Sequence, residues 1–268
     1  LDVVPIDTNE VDLDAVEDNF QEAFRRIAAG EAESDQLNRL ILGAQLDWRQ
    51  VGMLRAYCRY LQQTDLPLSQ SYMEETLAGH PVLSRLLVTL FETLFAPSDA
   101  ALTAARRSAS RSIKWLLAQK GTQTSFGETV HLLAEQLGSD REANLRAIKD
   151  AFREGLNAIT SQDEDRILRG FREIIKATLL TNYYQFDETG EPAEYLCFKL
   201  DSSLAPELPK PRPYREIWVY SPRVEGVHLR AGIVARGGLR WSDRREDFRT
   251  EILGLKKAQR VKNTLIVP

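Results

Sequence analysis

The sequence predicts an α+β fold, an all-α region followed by strands, and three features of the chain predict it. Apolar residues recur at three- and four-residue steps up to about Tyr184. From Tyr195 the spacing switches to alternation, and after a proline-rich stretch the chain closes on a strand–helix–strand pattern. The first spacing puts one face of a helix toward a core, and the second is that of a half-buried strand.

The helical elements follow in order. Trp48 to Leu61 carries Val51, Leu54, Cys58 and Leu61 on one face, and Val82, Leu86, Leu90 and Leu94 form a second stripe. Leu145, Ile148, Phe152, Leu156 and Ile159 make a third, and Leu168, Phe171, Ile175 and Leu179 a fourth. Ser71 with Glu74 has the spacing of a capping box opening one helix, and Gly79-His80-Pro81 closes it. Gly138-Ser139-Asp140 separates two later helices. With no internal repeat and no low-complexity segment, residues 1–186 read as a helical bundle or array.

The boundary is set near residue 187. Beyond it, Tyr195 to Leu200 places Leu196, Phe198 and Leu200 on one side of a strand, with Tyr195, Cys197 and Lys199 on the other. Leu204 to Pro213 holds four prolines and reads as an extended connector. Ile217-Trp218-Val219-Tyr220 is a second strand, and Val227 to Arg230 with Ile233 to Ala235 flank Gly232 as a hairpin. Asp243 caps a helix running to about Lys262, and Leu265-Ile266-Val267 starts another strand. Residues 187–268 therefore read as the opening of an α/β or α+β domain. Because these strands lack the partners that would complete a sheet, 195–268 is expected to be labile in isolation, while 1–186 folds by itself.

Composition narrows the function classes. A net charge of -4 gives no electrostatic reason for binding nucleic acid or acidic membranes, so neither is expected as a partner. No apolar run approaches the roughly 18 residues that span a bilayer. The two cysteines, Cys58 and Cys197, lie far apart without a CxxC pattern, which argues against a disulfide scaffold and a metal site and fits a reducing cytoplasm. The chain opens on Leu1 without a signal pattern and stops at Pro268 inside a strand pattern, so both ends read as cuts in a longer polypeptide.

Chemistry concentrates in Ala235-Arg236-Gly237-Gly238-Leu239-Arg240-Trp241-Ser242-Asp243-Arg244-Arg245. Adjacent glycines between a strand and a helix let the backbone approach a ligand, and flanking guanidinium groups can grip a carboxylate or phosphate bidentately. A hairpin turn with surface arginines accounts for the same residues. Lys262 lies seven positions beyond Leu255 and ends the apolar stripe of Ile252, Leu255 and Ala258, which points it inward. An inward ammonium needs a carboxylate or an anionic substrate, unless the helix end frays and the side chain reaches water.

Other candidates are structural. His80, His131 and His228 are scattered, His80 beside a proline where a capping role is the default. Asp163-Glu164-Asp165 sits at a helix start, where negative charge complements the dipole. Trp48 and Trp115 lie on helices as core residues.

Residues 216–230, Glu-Ile-Trp-Val-Tyr-Ser-Pro-Arg-Val-Glu-Gly-Val-His-Leu-Arg, resemble the opening of the catalytic domain in large-subunit NAD-dependent glutamate dehydrogenases. The run Arg236-Gly237-Gly238-Leu239-Arg240-Trp241-Ser242-Asp243 through Phe248-Arg249-Thr250-Glu251 is similar to that family's most distinctive stretch, continuing through Lys262-Asn263. Weaker likeness extends to Thr181-Asn182-Tyr183-Tyr184 and to Trp48 through Tyr60.

The resemblance implies a parent that oxidatively deaminates L-glutamate to 2-oxoglutarate with NAD as cofactor. Arg236, Gly237 and Gly238 stand where the wider family holds the side-chain carboxylate with a Lys-Gly-Gly turn, so arginine replaces lysine here. Lys262 before Asn263 matches the lysine that binds the α-carboxylate, at slightly longer spacing from the glycines. The catalytic lysine, the proton-shuttling aspartate and the Rossmann domain are expected beyond Pro268, so no catalytic or cofactor-binding residue is expected within this chain. The resemblance further implies a cytoplasmic, allosterically regulated homo-oligomer with the helical region serving assembly or regulation. The alternative is a non-catalytic helical scaffold binding a regulatory amino acid. Dehydrogenases of apolar amino acids are a further rival, against which the charge of Arg236 argues.

Overall fold

The structure, a computed structural model, describes residues 13–120, 124–230, 232–233 and 249–255. Helix α1 spans Leu13–Ala28, and a 3₁₀ turn at Gln36–Asn38 leads into α2, Arg39–Gly43. Next come α3 (Trp48–Leu61), α4 (Gln70–Gly79), α5 (Pro81–Phe95) and α6 (Asp99–Lys120). Helices α7 (Ser125–Gln136), α8 (Arg141–Asn157) and α9 (Gln162–Ala177) complete the helical part.

Local chemistry sets these boundaries. Asp47 and Gln50 form a reciprocal capping box that starts α3, while Asp140 and Ser161 cap α8 and α9 through their side chains. The expected cap at Ser71 is corrected: Ser69 opens α4, its side chain accepting from the Tyr72 backbone N–H. His80 closes α4 and precedes Pro81 at the first position of α5, without a side-chain cap. Its ring Nε2 instead lies 3.1 Å from Glu164 at the start of α9. At the other end of α5, Arg141 donates to the carbonyls of Thr93 (2.6 Å), Leu94 (3.1 Å) and Ala96 (2.8 Å), satisfying groups that a helix end leaves bare.

Among the described residues, four antiparallel strands follow in the order β1-β2-β3-β4, with β1 at Thr178–Thr181, β2 at Leu196–Leu200, β3 at Arg215–Tyr220 and β4 at Glu225–Arg230. The helical reading to Tyr184 is thus corrected, since α9 ends at Ala177 and the chain turns directly into β1. Leu179, read as the last member of the α9 stripe, is the extra residue where the β1–β2 register shifts, and it is 41% exposed. Strand β4 takes β3 as its hairpin partner, closed by Ser221 N–H donating to the Val224 carbonyl at 2.8 Å. The hairpin expected around Gly232 falls partly on Val234 and Ala235, outside the described residues, as do the Asp243 cap and the Leu265 strand.

One core joins helices and sheet. Helix α3 is buried on nearly every side, and β2 and β3 lay Phe198, Leu200, Trp218 and Tyr220 into the same apolar cluster. Tyr57 and Phe198 rings sit 4.6 Å apart, and the Trp218 indole N–H donates to the Ala56 carbonyl at 2.9 Å. The Tyr57 hydroxyl also hydrogen-bonds Thr178 of β1 at 2.8 Å. No helix among the described residues is long and apolar enough to cross a membrane.

Candidate functional site

Arg236, Gly237, Gly238 and Lys262 lie outside the described residues. The structure instead gives the elements on either side of the Gly-Gly run, β4 ending at Arg230 and a helical segment over 249–255. In that segment Arg249 (1% exposed) and Leu253 (6%) face inward, whereas Leu255 is 40% exposed. The stripe used to point Lys262 inward is therefore corrected: the buried side runs through 249 and 253, one helical turn apart, and not through Leu255.

That buried side carries a polar cluster. Arg249 donates from Nη1 to Glu216 Oε1 at 3.0 Å and from Nη2 to both Glu216 Oε2 and the Tyr60 hydroxyl, the latter at 3.1 Å. Tyr60 in turn donates to Glu216 Oε2 at 2.8 Å, and the Arg249 backbone N–H donates to Gln63 Oε1 at 3.2 Å. Glu216 and Tyr60 are wholly buried. Burial opposes the Arg249 charge, but Tyr60 and Glu216 outweigh it and hold its pKa above the ordinary value. Burial, reinforced by the Glu216 charge, pushes the Tyr60 phenol well up, so the hydroxyl stays a donor. Three distant stretches of chain thus meet at one ion pair: α3, β3 and the segment that follows the Gly-Gly run.

Sequence reading missed this cluster, although one signal was present. Glu216 shares its strand parity with Trp218 and Tyr220, so a charge stands on the inward face of β3. An inward carboxylate requires a buried partner, but alternation alone does not say which cation supplies it.

A separate cleft of about 530 Å³ opens beside Trp48, Arg49, Glu92, Tyr183, Tyr184 and Phe186. The Arg49 guanidinium lies over the rings of Tyr183 (4.9 Å) and Phe186 (5.2 Å) and donates to the Tyr183 carbonyl, so the chain's own cation occupies those aromatic faces. Glu92 accepts from Gln50 Nε2 at 2.7 Å through Oε1. Burial pushes its carboxyl up to about 7 against the pull of Arg85 and Gln50. The described residues hold no cluster of three metal-ligating side chains, and the free thiols Cys58 and Cys197 are both pushed up by burial, which suits neither a nucleophile nor a ligand. His131 is exposed, and the Nδ1 of His228 is buried without a hydrogen-bond partner among the described residues.

Known proteins resemble this chain along most of its length. Residues 151–268 match the family described as bacterial NAD-glutamate dehydrogenase, catalytic domain, and residues 32–97 match glutamate dehydrogenase, helical motif 3. The first match begins inside α8 and takes in α9 and the whole sheet. The chain is 48% identical to the NAD-specific glutamate dehydrogenase of Halomonas elongata over 259 residues, 97% of its length. It is 46% identical to that of Pseudomonas aeruginosa over the same length, and 43% identical to that of Mycobacterium tuberculosis over 266 residues, 99% of the chain. The chain spans 14% of the length of each of these relatives.

Proposed function

We propose, from the premise that this chain belongs to the bacterial NAD-glutamate dehydrogenase family, that it supplies the glutamate-binding opening of the catalytic domain in a longer NAD-linked enzyme. The parent would oxidise L-glutamate to 2-oxoglutarate and ammonia. The carrying observation is the match over 151–268, which contains the Arg236-Gly237-Gly238 run and Lys262. In this reading the guanidinium of Arg236 and the glycine backbone hold the side-chain carboxylate, and Lys262 holds the α-carboxylate. Together they fix both ends of a dicarboxylic amino acid and leave its Cα–H free to face the nicotinamide.

The described residues do not fit the cofactor itself. Their sheet is an antiparallel meander, without the parallel strand–helix–strand unit that aims a helix N-terminus at a pyrophosphate. NAD is accordingly assigned to another part of the parent. We further read the parent as a cytoplasmic, allosterically regulated homo-oligomer in which the helices ahead of residue 151 serve assembly or regulation and residues 151–268 open the catalytic domain.

Two substitutions in the full-length enzyme test the assignment. Lys262→Met should raise the glutamate KM by about ten- to a hundredfold with the NAD KM nearly unchanged, the loss of a charge-assisted bond costing roughly 1.5–3 kcal/mol. Arg236→Ala should move kcat/KM away from glutamate toward norvaline, which lacks the second carboxylate. Unchanged glutamate kinetics in the first, or an unaltered substrate ratio in the second, would remove that residue from the site.

A further inference from the structure

We infer that Arg249 is a positioning residue for glutamate binding: its buried pairing with Glu216 and Tyr60 sets where the helical segment 249–255, which lies between Arg236 and Lys262 in sequence, sits. The inference rests on the proposed function above. Among the described residues, the side chains that grip Arg249 belong to the scaffold, Tyr60 on α3, Gln63 just beyond it and Glu216 on β3. In sequence Arg249 stands midway, thirteen residues after Arg236 and thirteen before Lys262. A helix advances about 1.5 Å per residue and turns about 100°, so in this reading a slide or rotation of the 249–255 segment at Arg249 is passed along the chain toward both Arg236 and Lys262. Carboxylate contacts tolerate errors of only about half an ångström, so such a displacement falls directly on substrate affinity.

The chemistry of the contact suits this role better than simple adhesion. An apolar side chain in the same volume would hold the helix about as firmly, since a buried ion pair gains little over good packing. What the guanidinium adds is direction, because two parallel N–H donors meeting one carboxylate fix an angle as well as a distance. The Tyr60 hydroxyl closes the figure by donating to Glu216 while accepting from Arg249. Arg249 lies in the run that carries the family resemblance, between the residues proposed to hold the two carboxylates.

The test uses the full-length enzyme with Arg249→Met, the double variant Arg249→Met with Glu216→Gln, and Tyr60→Phe. Glutamate and NAD kinetics are measured beside the thermal midpoint. Arg249→Met strands a buried carboxylate, so it should lose both thermal stability and glutamate affinity. Removing the Glu216 charge as well should restore most of the midpoint while the glutamate KM stays raised by roughly tenfold and the NAD KM holds within about twofold. A glutamate KM that recovers together with the midpoint would show a purely structural contact and overturn the inference. Should the single Arg249 variant fail to fold, Tyr60→Phe decides. It keeps the ion pair and loses the bridging hydroxyl, and a glutamate KM equal to that of the wild type overturns the inference. A wild-type enzyme that does not reduce NAD with glutamate would instead bring down the proposed function, and the inference with it.

Discussion

Replacing Gly155 by alanine places a methyl group where α8 has no room for one. An alanine Cβ there would lie 2.6 Å from Leu83 Cδ2 of α5 and 2.7 and 2.8 Å from the Phe126 ring of α7. Carbon atoms at rest are about 3.5–4.0 Å apart, so the Leu83 and Phe126 side chains, or the helices that carry them, must shift by close to an ångström locally. Overpacking of this kind costs about 1–3 kcal/mol, offset by about 1 kcal/mol of helix propensity gained over glycine. Gly170 in α9 provides the matched control, because its added Cβ would meet only Leu61 methyls at 3.7 and 3.8 Å, ordinary contact distances. There the propensity gain stands nearly alone and Gly170→Ala should stabilise by about 0.5–1 kcal/mol. The two alanine variants should therefore differ by roughly 1–3 kcal/mol, or several degrees in thermal midpoint at about 2–4 °C per kcal/mol. Thermal unfolding of the two variants side by side reads the difference directly. A Gly155→Ala protein as stable as Gly170→Ala would refute the close approach of α8 to α5 and α7.

Two other tests probe different parts of the molecule. Glu92 titrates near 7 in the folded chain against about 4.5 when free, so between these values only the unfolded chain gives up its proton. Wild-type stability relative to Glu92→Gln should thus fall as pH rises through that window, by at most about 3 kcal/mol, whatever constant offset Arg85 adds; a pH-independent difference would exclude the shift. Amides of β2 and β3 should exchange with solvent as slowly as those of α3, because Phe198 and Trp218 are fully buried against that helix. Rapid exchange in β2 and β3 of the isolated chain would support the sequence-based expectation of a labile 195–268 segment.

Local periodicity determined much of this protein. Trp48–Leu61 is read from its spacing at both ends, and the alternation of Leu196, Phe198 and Leu200 identifies β2 with its inward face. Both signals survive because they depend on neighbours within a few residues. The Gly-Gly run with Arg236 and Lys262 is likewise a linear feature, and its family resemblance needed no fold to be seen. Elements decided by distant chain were not legible. Thr178–Thr181 continues the helical apolar spacing of α9, yet it becomes a strand because β2, arriving some twenty residues later, supplies its hydrogen bonds. Ser69 rather than Ser71 caps α4 because backbone geometry at the end of the preceding loop selects the cap, and both serines stand at plausible spacing. The pairing of Tyr60, Glu216 and Arg249 joins residues 156 and 33 positions apart, a relation that no periodicity encodes. Only the packing of β3 and the 249–255 helix against α3 brings those charges together, because a buried carboxylate takes whichever cation the assembled fold delivers to it.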